Sequence, residues 1–599
     1  MSAPLHDQHD HNGLEKHHHP TIADDILGGL AAEATEYAQP TPVLSRTASR
    51  KEMSHHDTSE STMTAVDKDA VVDEKAEVPP VDDSGVLHGL RLYLVFTSIM
   101  ACVFMFALDQ SIVSTAIPVI VSQFQSFDQV AWIITAYFLT QCGLILLVGQ
   151  MLTVLKAKWM LLGAIFWFEL GSLICGVAKD MDTLIGGRAI QGIGASGMFV
   201  SILSVISVVT KVEQRAAFMA SFGFVFVISS VIGPLLGGVF TDHVSWRWCF
   251  YINLPFGGVA AAAVVFLLPA RAPAEDRNAP EGRTLLGKLR RLDWVGTALI
   301  FCTITCLLLA LSWGGNEYSW KNWRIPVLFT LGGVLVIVFG WWQWHYDKYA
   351  LIPLSILKNR TVIACSATMF FMMLAMLGGT YQLPLYYQAG RAHSAEKSGI
   401  DIIPFMLAVC IGIFVSGGLT TKFGRYYPFL IAGPPISAVG IGLLYTIKAD
   451  TANAKIIGYQ ILAGFGIGLS FQNALLAVQA EYSDQPALLP QAQGVVSFFQ
   501  LTGAALGVGI INTVQSVFLN TEIKRLAPDV DFNLVRQSVS AIFTLPAEQQ
   551  PAVIEAYIIS ITKSFIPIIA AVILSLISGA FIRNHNMLTK GGAGAAHMA

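Results

Sequence analysis

Three ionisable side chains lie inside long apolar runs of the sequence, where a charge costs about 3 kcal/mol or more at a bilayer centre. They are Asp109, Glu169 and Arg188. A carboxyl group beside a guanidinium in such surroundings can bind and release a proton, because burial favours its neutral form and the cation favours its ionised form. The pattern therefore indicates proton exchange. For Glu169 and Arg188, a static ion pair that holds two helices together is an equally good interpretation.

The elements that position these residues are membrane-spanning helices. Of 599 residues, 54% are hydrophobic and 13% are charged, whereas soluble chains average about 25% charged residues. Fourteen runs are long enough to cross a bilayer as helices: 93–118, 129–149, 159–179, 182–208, 215–240, 249–269, 293–313, 325–345, 362–388, 398–420, 427–447, 455–480, 493–519 and 559–582. We predict an all-α polytopic membrane protein. A soluble enzyme and a transmembrane β-barrel, with its short alternating strands, are excluded.

The three ionisable groups are predicted to share one layer of the bundle. With the N-terminus in the cytoplasm, a rise of 1.5 Å per residue places Asp109 about 13 Å, Glu169 about 15 Å and Arg188 about 9 Å below the outer surface. Lys563 begins the last span and is expected to reach the interface with its amine.

The net charge of −3 combines two unlike parts. Residues 1–88 hold 17 acidic and 6 basic side chains, and their polarity predicts a disordered acidic tail. The inner loops and C-terminus carry 17 Lys and Arg residues, against 11 in the outer loops. This bias predicts that both termini are cytoplasmic, with 583–599 as a short C-terminal tail. The His-rich segment of the N-terminal tail is interpreted as a solvated tract rather than a metal site.

Two glycine-rich stretches resemble cofactor motifs without their context. Residues 282–288 match a phosphate-binding loop, but Leu289 stands where a Ser or Thr should bind magnesium. Residues 192–197 fit a dinucleotide fingerprint, yet they lie inside an apolar span and favour close helix packing. We therefore expect no metal and no ATP or other cofactor. A proton gradient would supply the free energy.

Four stretches together carry a family resemblance. They are LDQSIVSTAIP at 108–118, RAIQGIG at 188–194, GPLLGG at 233–238 and WRWCFYINLP at 246–255. The combination resembles the fourteen-span drug:proton antiporters of the major facilitator superfamily, and the last stretch is similar to fungal toxin-efflux members. The resemblance covers most of residues 93–582.

The resemblance implies two pseudo-symmetric six-helix halves, 93–269 and 362–582, with two inserted helices at 293–345. The halves are expected to rock about a central cavity, which gives alternating access. The resemblance associates the Arg188 position with proton coupling. We predict that Asp109 exchanges protons with the outside-facing cavity and that Arg188 and Glu169 tune this exchange. The antiporter motif comprises Gly233, Pro234, Gly237 and Gly238. Its proline favours a bend, and its glycines permit close contact between helices.

The inner-loop motif of the superfamily departs from its usual form here. Thr153 and Thr421 stand at its two Asp positions, which puts in doubt an inner gate built on that carboxylate. The remaining motif residues are Lys156, Lys158, Gly424 and Arg425. Their cations are expected to meet helix C-termini or lipid phosphate, or simply to orient the chain.

Polar groups in otherwise apolar spans are candidates for the substrate cavity: Gln141, Gln382, Phe471, Gln472, Asn473, Phe498 and Gln500, two of them aromatic neighbours. Hydrogen bonds between helices are an equal alternative for each.

The sequence thus predicts proton-coupled efflux of small amphipathic organic compounds, such as drugs or fungal toxins, by a single chain in the lipid bilayer. It predicts no nucleic-acid partner. The plasma membrane is expected, with the vacuolar membrane as an alternative. Two rival functions are an importer or vacuolar transporter of basic amino acids or siderophores, and a membrane sensor that does not transport. The sensor would not need Asp109.

Overall fold

In the described part of the chain, fourteen helical segments are long enough to span a membrane. The sixth reaches that length as Trp248–Leu267, which combines a short helix with the longer one that follows it. The computed structural model describes residues 89–124, 129–211, 214–270, 285–314, 318–532, 535 and 539–590. The predicted tail 1–88, the end of the C-terminal tail and part of the 282–288 stretch lie outside these residues. The helices are α1 Gly89–Phe124, α2 Val130–Val154, α3 Ala157–Val177, α4 Met181–Val209, α5 Arg215–His243, α6 Asn253–Leu267, α7 Trp294–Trp313, α8 Arg324–Tyr346, α9 Arg360–Arg391, α10 Ile403–Phe423, α11 Tyr427–Leu444, α12 Asn453–Phe471, α13 Leu489–Leu526 and α14 Gln550–Ala580.

Eight short segments complete the helical content of the described chain. Trp248–Tyr251 precedes α6, and Asn473–Glu481 continues α12 after a break at Gln472. The others are Leu285–Leu289, Asp347–Tyr349, Leu354–Leu357, Ala395–Asp401, Val539–Thr544 and Met587–Lys590.

The predicted number of spans is confirmed, because fourteen described helices are long and apolar enough to cross a membrane. The helices extend beyond several predicted spans. The largest difference is α14, which begins at Gln550 rather than at residue 559. Hydrophobic length locates the part of a helix that lies in hydrocarbon, whereas polar turns of the same helix continue into the interface.

In the first half, small residues let helices approach closely. A Cβ atom on Gly194 would meet the backbone of Phe168 in α3, and one on Gly192 would meet Tyr137 O in α2. The glycines of 192–197 therefore serve helix packing, as predicted. At the start of α4, the Asp180 carboxylate accepts the Thr183 N–H at 2.8 Å, which holds the pKa of Asp180 below its usual range.

The second half repeats the packing of the first. Helices α1 and α5 pack together as α9 and α13 do, and α2 and α3 pack on α4 as α10 and α11 pack on α12. The inserted helix α7 packs against α8, and also against α2 and α13, which belong to different halves.

The two halves contact each other along α2 and α13 and along α5 and α10. Both contacts reach the end of the bundle where α2 ends and α3 begins. The charge pattern predicts that this end faces the cytoplasm, and we call it the inner end. There a Cβ on Gly149 would lie 3.2 Å from Pro490 O, and one on Gly417 would meet Ala220 Cβ.

Candidate functional site

Asp109 lies fully buried within the first half, and polar groups from two other helices surround its carboxylate. Arg188 Nη1 donates to Asp109 Oδ2 at 2.7 Å. The second oxygen, Oδ1, accepts from Gln191 Nε2 at 2.7 Å and from Asn253 Nδ2 at 3.3 Å. Asp109 and Arg188 thus lie at one depth, as the helix-rise argument predicted.

The Arg188 guanidinium has partners besides Asp109. It donates to Ile133 O at 3.2 Å and to Gln191 Oε1 at 2.7 Å. Its central carbon lies 4.3 Å from the centre of the Tyr137 ring, within the range of a cation–π contact. A guanidinium held in this way remains solvated by protein groups when the carboxylate changes its charge.

Three members of this cluster were not predicted as site residues. Ser172 Oγ accepts from Gln191 at 2.8 Å and from Asn253 at 3.1 Å. Gln191 follows Arg188 by three residues, a helical spacing that puts both on one face. Asn253 is an amide within an apolar span. Gln191 and Asn253 both lie in sequence stretches that carry the family resemblance, 188–194 and 246–255. Nothing in the sequence marked Ser172.

Glu169 does not pair with Arg188. Both oxygens of its carboxyl group are buried and have no hydrogen-bond partner in the described chain. The group lies against Gly257 of α6, where a Cβ atom would meet Glu169 Oε1. The static Glu169–Arg188 ion pair is therefore wrong for this structure, and the predicted tuning role remains a prediction.

The antiporter motif lies where α5 touches α1. A Cβ on Gly233 would meet Ser111 Oγ, and one on Gly237 would meet Thr115 Oγ1 and Ile112 O. Gly238 has open space around it. Helix α5 continues through Pro234 from Arg215 to His243. The motif thus joins α5 to the helix that carries Asp109.

Of the inner-loop residues, Lys158 meets a helix C-terminus, as predicted, since its Nζ donates to Val265 O in the last turn of α6 at 2.7 Å. Lys156 is the exposed residue that precedes α3. Gly424 ends α10 with a φ of +71°, the left-handed conformation that glycine favours. Arg425 forms a backbone bridge with Asn586.

All seven predicted cavity residues are buried. Two form hydrogen bonds between helices, which agrees with the alternative interpretation: Gln110 Nε2 donates to Gln141 Oε1 at 3.5 Å, and Gln382 Nε2 donates to Gln515 Oε1 at 3.3 Å. Asn473 donates to Leu469 O at 2.6 Å within the break of α12. The side chains of Phe471 and Phe498 pack in the core.

Some buried amides have no partner among the described residues. Neither side-chain polar atom of Gln472 or of Gln493 is hydrogen-bonded, and Gln500 Oε1 and Ser497 Oγ are also unpaired. On α13 these residues follow at i, i+4 and i+7, so they share one helix face. Each unpaired buried group costs about 1–3 kcal/mol. Such a face is suited to contact with water or a ligand in another arrangement of the halves.

A cavity of about 250 Å³ lies elsewhere, between α2, α7, α9 and α13. Its wall combines the aromatic rings of Phe138, Trp320 and Tyr381 with the polar groups of Asn512 and Ser516. None of its lining residues is Asp, Glu, Lys, Arg or His. None of the predicted substrate residues lines this cavity.

The family follows from comparison with known proteins. Residues 99–508 match the model of the Major Facilitator Superfamily. The chain belongs to this superfamily. It is 41% identical over 458 residues to the MFS-type transporter phomT of Diaporthe leptostromiformis, with 75% of each chain covered. It is also 40% identical to the efflux pump roqT of Penicillium rubens, with 79% of this chain and 87% of that one covered.

A third relative is the efflux pump aflT of Aspergillus parasiticus, 39% identical over 76% of this chain and 87% of that one. Among solved structures, the fold is similar to the proton:xylose symporter XylE, with a TM-score of 0.55 and 11% identity, covering 84% of this chain and 98% of that one. The protein is therefore an integral membrane transporter and not an enzyme, and its relatives' names support efflux.

Proposed function

We propose that this protein exports small amphipathic organic molecules in exchange for protons. The observation that carries the proposal is the buried Asp109 carboxylate, paired with Arg188 in the interior of the first half. A bundle could fill this position with an apolar residue at lower cost, since buried ion pairs often contribute little net stability. A carboxylate retained there is suited to carry a proton.

The partners of Arg188 support a switch at Asp109. Protonation removes the negative charge and weakens the Arg188–Asp109 bond. The guanidinium then keeps Ile133 O, Gln191 Oε1 and the Tyr137 ring. These neutral contacts solvate the cation without balancing its charge, so they lower the cost of protonating Asp109 but do not remove it.

Asp109 lies close to the contact between α1 and α5, which we expect to change during transport. Asp109 lies on α1 two residues before Ser111. The Ser111 hydroxyl lies 3.2 Å from Ser229 O of α5 and shares its one proton between this acceptor and Leu108 O, 3.1 Å away in α1. The same stretch of α5 carries the antiporter motif. We infer that a change at Asp109 alters the contact between α1 and α5, which supports coupling to movement of the first half.

The cavity between α2, α7, α9 and α13 supports the proposed substrate class. An uncharged wall of aromatic and hydroxyl or amide groups suits a neutral molecule with an apolar body and a polar edge. The relatives' names as efflux pumps support export. An importer of basic amino acids or siderophores would need acidic lining residues, and this cavity has none among the residues that the structure describes.

Export to the medium supports the plasma membrane as the location. We further propose that one chain suffices, because both halves of the alternating bundle belong to it. The proton gradient replaces ATP as the source of free energy.

The experiment uses proteoliposomes loaded with Nile red, a neutral amphipathic dye, under an imposed pH gradient. Wild-type protein is expected to move the dye against its gradient until a protonophore is added. Asp109→Asn should lose this uphill movement. Asp182→Asn, the same change at an exposed position in the first turn of α4, should retain it. Uphill, protonophore-sensitive movement by Asp109→Asn would refute the proposal.

A further inference from the structure

A second buried carboxylate, Asp293, lies at the start of the inserted helix α7 and takes no part in the proton site. Its side chain accepts four hydrogen bonds: from Gly296 N at 2.7 Å, Trp342 Nε1 at 2.8 Å, Gln343 Nε2 at 2.8 Å and Leu351 N at 3.3 Å. The first bond caps α7, and the next two come from α8. The last comes from the segment Tyr349–Ile352, which leads from α8 towards α9.

This segment is held by one glutamine from each half. Gln150 of α2 donates to Tyr349 O at 2.8 Å and accepts the Asp293 N–H at 3.1 Å. Gln491 of α13 donates to Ala350 O at 3.0 Å and to Leu351 O at 3.2 Å. We call Asp293, Gln150, Gln491 and the segment Tyr349–Ile352 the inner clasp.

The inner clasp lies beside the closest approach of the two halves. Gly149 precedes Gln150, and a Cβ on it would lie 3.3 Å from Gly494 Cα and 3.6 Å from Gln491 Cα. When the halves separate at the inner end, α2 moves away from α13. Gln150 and Gln491 then cannot both keep their bonds to one short segment.

The Asp of the usual inner-loop motif cannot link the two halves here, because Thr153 and Thr421 stand at its two positions. Thr153 donates to Gln150 O at 2.8 Å, and Thr421 donates to Gly417 O at 2.8 Å, each within its own helix. The bonds that join both halves to one element at this place are those of the two glutamines.

We propose that the inserted helices α7 and α8 act as a clasp that stabilises the closed inner end of the transporter. Asp293 is a positioning residue: it fixes the segment Tyr349–Ile352 where glutamines of both halves reach it. Opening the inner end requires release of Gln150 or Gln491. The two helices added between the halves thus set how readily the transporter opens towards the cytoplasm.

The test measures opening at a distance from the clasp. Ala220 lies at the contact of α5 with α10 and is buried, so Ala220→Cys reacts with a membrane-impermeant maleimide only when the inner end opens. Labelling is followed in inside-out vesicles, with the same protein lacking the reporter as background for the native cysteines. This measurement needs no proton gradient, so its outcome is independent of the proposed proton coupling.

We expect Gln491→Ala to raise the labelling rate on the order of tenfold, since it removes two hydrogen bonds that favour the closed state. Gln150→Ala should act in the same direction from the other half, and Asp293→Asn should do so because an amide offers one acceptor oxygen instead of two. The matched control is Gln460→Ala, which removes a buried glutamine bonded to Tyr387 within one half, and it should leave labelling unchanged.

Wild-type labelling rates in both Gln491→Ala and Gln150→Ala would overturn the proposal, even if Asp293→Asn lowered the melting temperature. In that case Asp293 only holds α7 to α8. If one glutamine variant is not monodisperse in detergent, the other decides, because each removes the link from a different half.

Discussion

The two halves share their helix packing but differ in their polar interiors. The third turn of α4 carries Arg188, which pairs with Asp109 at 2.7 Å. The third turn of α12, the corresponding helix of the second half, carries Gln460, which donates to Tyr387 Oη at 2.9 Å. The carboxylate of an aspartate–arginine pair can bind a proton. The amide and hydroxyl groups of a glutamine–tyrosine pair both stay neutral at physiological pH.

For the exchange proposed above, we infer a division of labour between the two halves. The first half contains the buried Asp109 carboxylate, which is the candidate proton site. The cavity of about 250 Å³ is lined more by α13 of the second half than by any other helix, with three residues each from α7 and from α2 of the first half and two from α9, and none of its lining residues is charged. Under the proposed exchange, a proton at Asp109 and an organic molecule in this cavity bind at separate places, so each would influence the other through movement of the halves.

The largest expected effect tests the contrast between Arg188 and Gln460. Arg188→Met leaves Asp109 buried without its cation and should lower the free energy of unfolding by about 3–5 kcal/mol. Gln460→Met, the same replacement at the corresponding place, removes one neutral hydrogen bond and should cost about 1 kcal/mol. Denaturant unfolding in detergent micelles measures both. If Arg188→Met and Gln460→Met lowered the free energy of unfolding equally, the proposed difference between the two halves would be wrong. If the double variant Asp109→Asn/Arg188→Met recovered part of the free energy lost in Arg188→Met, the difference would be traced to the unpaired Asp109 charge.

A smaller effect is expected at the cavity. Val508 lines it, whereas Ile510, two residues further along α13, is exposed and does not. Val508→Trp fills the cavity and should weaken Nile red binding about tenfold, which equals 1.4 kcal/mol. Ile510→Trp adds the same bulk outside the cavity and should leave binding unchanged. Fluorescence titration measures the affinity.

The pH at which transport is half-maximal should not change in Val508→Trp, because no titratable group of the first half is altered. A shifted pH profile together with unchanged dye binding would contradict the division of labour between the two halves.

The smallest effect is expected from Glu169. Both oxygens of its carboxyl group are buried without a hydrogen-bond partner among the described residues, against Gly257 of α6. Glu169→Gln keeps the size of this side chain and removes its ability to ionise, so a tuning role for Glu169 requires the pH profile of transport to change. The half-maximal external pH should therefore shift by less than about one unit, the scale of one nearby charge. Glu555→Gln, at an exposed position in α14, is the control. An unchanged pH profile, or total loss of transport, would contradict a tuning role.

Much of the fold could be predicted from composition and spacing. Fourteen apolar runs predicted fourteen helices, because a helix that crosses hydrocarbon must satisfy its backbone internally and present apolar side chains over a fixed length. The layer shared by Asp109 and Arg188 followed from the constant rise of a helix. The ends of α13 and α14 were less predictable, since polar turns beyond the bilayer leave no hydropathy signal.

The candidate site was only partly predictable. Its ionisable members were evident, because a charge in an apolar run is costly and rare. Which carboxyl group Arg188 meets depends on how α1, α3 and α4 rotate about their axes, and small residues such as Gly192 and Gly194 decide that rotation through close contacts. The sequence therefore left Glu169 and Asp109 as competing partners.

The sequence alone determined the membrane class of this protein, its number of spans and the few charges that its interior retains. Only the tertiary structure decided how those charges are used. Asp293 appears in the sequence as the first residue of the apolar run 293–313, yet its four donors come from three separate places in the chain. Apolar length is a local property that any window of sequence carries, whereas the partners of a buried carboxylate exist only after distant helices have packed.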